Sequence, residues 1–99
     1  MKKKIRAEDL REFDITEYLD SQEAIAEYLT SMIESGDASM LAVALGDVAR
    51  SRGMAEVAKA SGLTREALYK ALRPDAQPRF DTVNRVCLAL GVKLVAQPQ

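Results

Sequence analysis

The sequence predicts an all-α fold, a bundle of about five helices with a candidate short strand at the C-terminus. Apolar residues recur at three- and four-residue steps along most of the chain, which is the spacing of amphipathic helices. Glycines and helix-capping side chains separate these runs. The composition agrees, because 47% of the 99 residues are hydrophobic but only 5% are aromatic, which suits one core of closely packed helices.

The N-terminal part divides into an arm and the start of the domain. Residues 1–14 are rich in charge and lack helical periodicity, so we expect a flexible arm there and a single domain over 15–99. One apolar turn follows, made of Ile15, Tyr18 and Leu19. Asp20, with Glu23 three residues later, predicts the N-terminal cap of the first long helix.

Two amphipathic helices are predicted next, separated by Gly36 and Asp37, which suit a helix stop and a helix cap. The first should bury an apolar stripe made of Ala24, Ile25, Tyr28, Leu29, Met32 and Ile33. Its outward side should carry Glu23, Glu27, Thr30 and Glu34. The second should bury Met40, Leu41, Ala44, Leu45, Val48 and Ala49. Gly53 is placed to end that helix, just after Arg52.

Residues 54–73 have the layout of a helix-turn-helix: a short helix, a glycine turn and a second short helix. The inward face of the first helix would consist of Val57, Ala58 and Ser61. Gly62 follows, and glycine tolerates the positive φ that a tight exit from a helix needs. In proteins with this motif the second helix lies in the major groove and its outward face reads bases. The layout therefore points toward DNA.

The second helix of the motif has a well-defined start and two distinct faces. Thr64 is a favoured N-cap, and Glu66 lies in the first turn, where the helix dipole favours an anion. Leu63 is placed to pack on Leu68 as a hydrophobic staple. The predicted inward face is Ala67, Leu68, Ala71 and Leu72. The predicted outward face is Glu66, Tyr69, Lys70 and Arg73, with Arg65 at its edge.

The remaining residues predict a turn, a last helix and a tail. Pro74 and Pro78 bound a turn that keeps the second helix of the motif from continuing. Asp81 is predicted to cap the last helix and Gly91 to end it. Its inward stripe would be Phe80, Val83, Val86, Cys87 and Leu90. Residues 92–96 form the candidate strand, which would pair with the N-terminal arm or with the same strand of a second copy.

The net charge of −1 conceals a strong asymmetry along the chain. Residues 1–6 carry +4, residues 7–49 carry −10, residues 50–79 carry +4 and residues 80–99 carry +1. The positive charge therefore falls on the helix-turn-helix. The acidic segment would repel phosphate, and it is either a surface for a basic protein partner or an ordinary solvated face.

The residue inventory excludes several kinds of chemistry. The chain has no histidine and only one cysteine, Cys87, so it lacks His-based acid/base catalysis and the ligands of ordinary zinc sites. We therefore expect no catalysis, no cofactor and no metal. Cys87 is interpreted as a small core residue in a reducing compartment. No apolar run approaches the roughly 18 residues of a membrane span, so we expect a cytoplasmic protein without membrane contact.

Four sequence blocks occur in order between Phe13 and Leu94. They read FDITEYL at 13–19, ALGDVARSRGM at 44–54, GLTREALYKAL at 62–72, and PRFDT at 78–82 followed by ALG at 89–91. In this order they resemble the probable addiction-module antidote proteins, HigA-like antitoxins with a Cro/repressor-type helix-turn-helix. The resemblance implies a lambda-repressor-like bundle. It also implies an antitoxin that neutralises a RelE/ParE-like toxin, and a homodimer that represses its own operon by binding operator DNA.

The motif and the resemblance together suggest residues for contact with operator DNA. Those of the second helix are Thr64, Arg65, Glu66, Tyr69, Lys70 and Arg73. Those expected to contact phosphates are Arg50, Arg52 and Arg79. Charged side chains on short helices are often only a solvated face, and Glu66 and Lys70 would form an i,i+4 pair with or without DNA.

One departure from related helix-turn-helix domains concerns the start of the first helix of the motif. Those domains usually have a small hydroxyl residue followed by glutamine, whereas this chain has Ala55 and Glu56. The change removes side chains that donate to phosphate and adds a carboxylate that repels it.

Three functions therefore remain open besides an ordinary helical hairpin at 54–72. The first is the antitoxin with operator binding, which the resemblance favours. The second is a stand-alone helix-turn-helix transcription regulator without a toxin partner. The third is an interaction protein that no longer binds DNA, which Ala55, Glu56 and the acidic composition would explain. A neighbouring gene for a small basic protein would separate the first from the second, and operator gel shifts would identify the third.

Overall fold

A computed structural model of the chain describes residues 21–99, which form five α-helices and no strand. The helices are α1 (Gln22–Glu34), α2 (Ala38–Arg52), α3 (Met54–Ser61), α4 (Arg65–Ala71) and α5 (Phe80–Ala89). The predicted all-α bundle is confirmed. The predicted arm over 1–14 and the predicted turn at 15–19 lie outside the described residues.

The helix boundaries follow local capping chemistry. Helix α1 is capped by Ser21, whose hydroxyl accepts the Ala24 N–H at 3.1 Å, so the cap is one residue later than the predicted Asp20. Helix α2 is capped by Asp37 as predicted, through the Ser39 N–H at 3.0 Å. The Ser39 hydroxyl also donates to this carboxylate, and the two bonds lower the pKa of Asp37.

All five helices contribute to one core. Helix α1 packs along α2, while α3 contacts α2, α4 and α5. The largest side chains with no exposed surface are Ile25, Leu45, Val48, Leu68, Val86 and Cys87. Helix α3 thus occupies the centre of the arrangement, and α4 is attached to the core chiefly through α3.

Four residues predicted to face inward are exposed instead. Phe80 retains 71% of its surface and Ile33 retains 46%, and Met40 and Ala67 are exposed as well. Phe80, Ile33 and Met40 lie within the first or last turn of their helices. Ile33 and Phe80 line an open apolar groove, whose other lining residues are Leu41, Pro78, Val83, Leu94, Val95 and Ala96. Ala67 is exposed because the buried seam of α4 is narrow and consists of Leu68 and Leu72, one turn apart.

The start of α5 and the tail also differ from the sequence prediction. Arg79 occupies the N-cap position of α5 and makes no side-chain cap bond. Asp81 lies inside the first turn, too far along to act as the cap, and pairs with Arg85 at 3.3 Å. Gly91 ends the helix with φ +84°, as predicted. Residues 92–99 have no regular secondary structure, so the candidate strand is not formed within the described part of the chain.

Candidate nucleic-acid interface

Helices α3 and α4 form the predicted helix-turn-helix, and Gly62 makes the turn between them. Gly62 has φ +76°, and the N–H groups of Gly62 and Leu63 bond the carbonyls of Lys59 and Ala58 at 3.3 and 3.0 Å. This is the paired bonding of a Schellman turn. A Cβ on Gly62 would meet nothing closer than an Arg85 nitrogen at 3.8 Å. The backbone conformation, and not lack of space, therefore favours glycine here.

Thr64 fixes the first turn of α4. Its hydroxyl oxygen accepts the Ala67 N–H at 3.0 Å, which confirms the predicted cap. Leu63 is half-buried and packs against the core that contains Leu68, as expected for the two ends of a hydrophobic staple. The start of α4 is therefore held by one polar and one apolar contact. Thr64 itself is exposed, and its hydroxyl proton stays available for donation.

The outward face of α4 is exposed, as the periodicity predicts. It carries Arg65, Glu66, Tyr69 and Lys70, with Arg73 just beyond the helix. The Arg65 guanidinium lies 5.7 Å from the centre of the Tyr69 ring, and its Nη2 donates to the Tyr69 hydroxyl at 3.4 Å. This contact places the two side chains next to each other on the outward face, with the cation near the aromatic ring.

The predicted pair between Glu66 and Lys70 is not formed. Within residues 21–99 neither side chain has an ion-pair partner. Both are exposed, where a single helical pair contributes little against side-chain entropy and solvation. Lys70 lines an open cleft instead, and no carboxylate within residues 21–99 pairs with its ammonium.

That cleft gathers three cations that are separate in sequence. It measures about 370 Å³ and lies between α4, the following loop and the start of α5. Lys70, Arg73 and Arg79 line it together with Pro78 and Thr82, and no acidic residue of the described chain does. Unbalanced positive charge beside an exposed helix attracts phosphate. The sequence predicts only that Arg79 lies in a loop. In the structure Arg79 lies on the same surface as α4.

Among the predicted phosphate partners, Arg50 is the one whose expected role the structure alters most. Its Nη2 lies 2.6 Å from Asp47 Oδ1, and the Tyr28 hydroxyl donates to Asp47 Oδ2 at 3.0 Å. Burial raises the pKa of Tyr28 above its ordinary value, and the Asp47 charge adds to this effect. Asp47 thus neutralises Arg50 locally. The i,i+3 spacing of Asp47 and Arg50 signals their contact in the sequence, but Tyr28, 19 residues from Asp47, has no such signal.

Gly46 lies close both to the ion pair of Asp47 and Arg50 and to the end of α4. A Cβ at Gly46 would lie 3.2 Å from the Leu72 carbonyl oxygen and 3.4 Å from Arg50 Nη1. Glycine therefore allows α2 to approach the helix-turn-helix closely. Arg52, also predicted for phosphate contact, is exposed in the last turn of α2 and has no ion pair with a described residue.

The start of α3 is the part of the candidate interface that is least suited to phosphate contact. The N-cap is Gly53, which has φ +106° and no side chain to satisfy the first N–H groups. Ala55 and Glu56 are both exposed there. The free N–H groups of a helix start suit a phosphate, whereas the Glu56 carboxylate opposes it.

The fold and this surface define a small all-helical protein of the helix-turn-helix layout. The chain belongs to the family of the probable addiction module antidote proteins, which it matches over residues 9–98. An uncharacterized protein of Haemophilus influenzae is 40% identical over 90 residues, which cover 91% of this chain and 93% of the relative. No solved structure matches the chain significantly. Family membership supports an antitoxin role and, in general, a toxin partner.

No helix within residues 21–99 is long and apolar enough to cross a membrane. In the same range, no three residues of the types His, Cys, Asp and Glu are grouped so that they could hold a metal ion.

Proposed function

We propose that this protein is the HigA-like antitoxin of a type II toxin–antitoxin module. It neutralises a RelE/ParE-like toxin and, as a homodimer, represses its own operon by binding operator DNA through α4. No catalytic step is part of this function. The observation that carries the DNA-binding half is the cluster of Lys70, Arg73 and Arg79 beside the exposed face of α4.

The two parts of this surface suit two kinds of DNA contact. Arg65, Tyr69 and Lys70 project from the helix that enters a major groove in helix-turn-helix proteins, where donors and aromatic edges meet base edges. Arg73 and Arg79 lie beyond the helix, beside the cleft, where they would meet backbone phosphates. Glu66 can accept from a cytosine amine and would disfavour other bases.

The toxin-binding half is supported by family membership and by charge. Helix α1 exposes Glu23, Glu27 and Glu34, and the segment that contains it carries most of the negative charge of the chain. A basic toxin would be steered to this surface and away from the cationic cleft. One chain could therefore hold toxin and DNA on surfaces of opposite charge.

Operator binding is tested with purified protein and a duplex from the region upstream of its own gene. Arg65→Ala and Lys70→Ala should each weaken binding by about 1–3 kcal/mol if the residue contacts a base, and less if it contacts a phosphate. The matched control is Lys59→Ala, which removes an exposed cation from α3 outside this face. Unchanged operator affinity in both α4 variants would contradict the assignment.

The salt dependence of operator affinity distinguishes the phosphate contact predicted for Arg79 from that predicted for Arg50. The logarithm of operator affinity should fall linearly with the logarithm of salt concentration. Arg79→Ala should reduce that slope by about one. Arg50→Ala should reduce it less, because Asp47 already neutralises Arg50. A flat response of the wild type would exclude backbone contacts, and equal effects of the two variants would refute the role given to Asp47.

Toxin binding is tested by co-expression with the product of the neighbouring gene and purification of the complex. Arg65→Ala and Lys70→Ala should still suppress toxicity, since neither side chain supports the core. Operator binding without a toxin partner would instead identify a stand-alone regulator. A toxin partner without operator binding would identify an interaction protein that no longer binds DNA, which the exposed Glu56 at a helix start without a side-chain cap favours.

A further inference from the structure

Three side chains form a series of contacts from the interior of the protein to its surface. Tyr28 of α1 is only 5% exposed, and its hydroxyl donates to Asp47 Oδ2 at 3.0 Å. The other oxygen of this carboxylate, Oδ1, accepts from Arg50 Nη2 at 2.6 Å. The side chain of Asp47 is 24% exposed and that of Arg50 is 57% exposed. The series therefore connects a buried phenol on α1 to an exposed guanidinium on α2.

The bond from Tyr28 distinguishes this ion pair from an ordinary surface pair. An exposed pair contributes little, in part because two long side chains must be ordered to form it. Here the Tyr28 hydroxyl orients Asp47 from a neighbouring helix, so that only Arg50 has to be ordered. Burial raises the pKa of Tyr28, which keeps the phenol protonated and able to donate at neutral pH. Asp47 therefore holds Arg50 more firmly than the i,i+3 spacing alone would.

The Arg50 guanidinium lies beside the end of α4. The Leu72 carbonyl oxygen and Arg50 Nη1 both lie within 4 Å of the position that a Cβ would take at Gly46. Leu72 is the C-cap residue of α4, and Arg73, the next residue, lines the cationic cleft. A free guanidinium at this place would add one phosphate contact to those expected from the cleft.

Asp47 occupies Arg50 in the way that a phosphate would. Carboxylate and phosphate oxygens both accept charge-assisted hydrogen bonds from a guanidinium. While Arg50 Nη2 is bonded to Asp47 it cannot donate to DNA in the same direction, and the carboxylate repels an approaching phosphate. Neither Arg52 nor Arg79 has an ion pair with a described residue. Among the predicted phosphate partners, only Arg50 must therefore give up a carboxylate of the described chain when it binds DNA.

We propose that Asp47 is an intramolecular competitor for Arg50 that limits the affinity of this protein for DNA, and that Tyr28 of α1 holds the competitor in place. Asp47 and Tyr28 are positioning residues, since neither contacts DNA, and Arg50 is the phosphate-binding group through which they act. The inference rests on the proposed function, because it concerns the strength of operator binding. Removal of either Asp47 or the Tyr28 hydroxyl releases Arg50 and strengthens that binding.

The test measures the operator affinity of Asp47→Asn and Tyr28→Phe as a function of salt concentration. Asp47→Asn should raise affinity about threefold or more at about 50 mM salt and steepen the logarithmic salt dependence by about one. From about 50 to about 200 mM salt its affinity should therefore fall about 3.5-fold more than that of the wild type. Tyr28→Phe should give a smaller increase without any change in net charge. Loss of a purely structural contact would not raise affinity or the salt dependence.

A double-mutant cycle with Arg50→Ala separates the competition from the general effect of removing a negative charge. The matched control is Asp75→Asn, because Asp75 is exposed in the loop after α4 and has no ion pair with a described residue. In the Arg50→Ala background, Asp47→Asn should raise affinity no more than Asp75→Asn does. An equal gain from Asp47→Asn with and without Arg50 would overturn the proposal, as would unchanged affinity in both Asp47→Asn and Tyr28→Phe.

Circular dichroism establishes that each variant is folded before its affinity is compared. Tyr28→Phe keeps the buried ring and removes only the hydroxyl, so it is expected to fold. If it does not fold, the cycle of Asp47→Asn with Arg50→Ala decides the proposal alone, since the side chains of both residues reach solvent.

Elution from immobilised heparin, a sulfated polyanion, measures the same competition without operator DNA. Asp47→Asn and Tyr28→Phe should elute at higher salt than the wild type, and this difference should disappear in the Arg50→Ala background. Later elution of these variants from a protein that binds no operator would overturn the DNA-binding function and leave the role of Asp47 in place. Operator binding that neither variant strengthens would overturn the role of Asp47 and leave the proposed function in place.

Discussion

Leu68 holds α4 against the bundle, and its truncation tests the orientation of the whole interface. Its side chain has no exposed surface, whereas the other residues of α4 are exposed or half-buried. Leu68→Ala removes three carbon groups, which correspond to about 2.4 kcal/mol of transfer free energy at about 0.8 kcal/mol each. The cavity left behind adds to this, so the free energy of unfolding should fall by about 3–4 kcal/mol.

Urea unfolding followed by circular dichroism measures this loss, and native-state hydrogen exchange should show that the α4 amides open first. Tyr69→Ala is the control, because it truncates the next residue of the same helix, which faces solvent. It should cost about 1 kcal/mol at most, chiefly the contact with Arg65. A cost below about 1 kcal/mol for Leu68→Ala, or an equal cost for Tyr69→Ala, would refute the inward and outward faces assigned here.

Three further predictions concern stability. Burial raises the pKa of the Cys87 thiol from 9.0 to about 11, so the unfolded chain ionises first and the free energy of unfolding falls as pH rises from 9 to 11. The loss at pH 10 relative to pH 7 should be about 1 kcal/mol, and urea titrations of Cys87→Ala should lack this part of the pH dependence. Tyr28→Phe breaks the bond to Asp47 and should cost about 1 kcal/mol at neutral pH. Because the pKa of Tyr28 is also raised, the wild type should lose additional stability above pH 10, and the same titration of Tyr28→Phe should not show this loss. Gly62→Ala should lower the thermal midpoint by an amount equivalent to about 1–2 kcal/mol, since φ +76° disfavours a side chain; an unchanged midpoint would contradict this reading of the turn.

The parts of the fold that local chemistry controls could be predicted from the sequence. Gly62, Thr64 and Asp37 take the positions expected of them, because a positive φ or an N-cap depends on the residue and its near neighbours. Burial at the helix ends could not be predicted. Periodicity shows that Phe80 and Ile33 share a face with core residues, but it does not show where the opposing helix stops.

The candidate site, like the fold, has parts that could be predicted from the sequence and parts that could not. The exposed face of α4 follows from helical periodicity and remains the basis of the DNA-binding proposal. The cleft could not be predicted, because a loop brings Arg79 beside Lys70 and Arg73. The neutralisation of Arg50 also depends on contacts that periodicity does not report, since Asp47 is oriented by Tyr28 from another helix.

Pro78 lines both the cationic cleft and the apolar groove, so the loop that follows α4 belongs to two surfaces at once. The two surfaces are therefore adjacent, and a change in the length of this loop would alter both. A residue inserted between Asp75 and Gln77 should move Arg79 relative to Lys70, while the core contact that holds α4 through Leu68 stays unchanged.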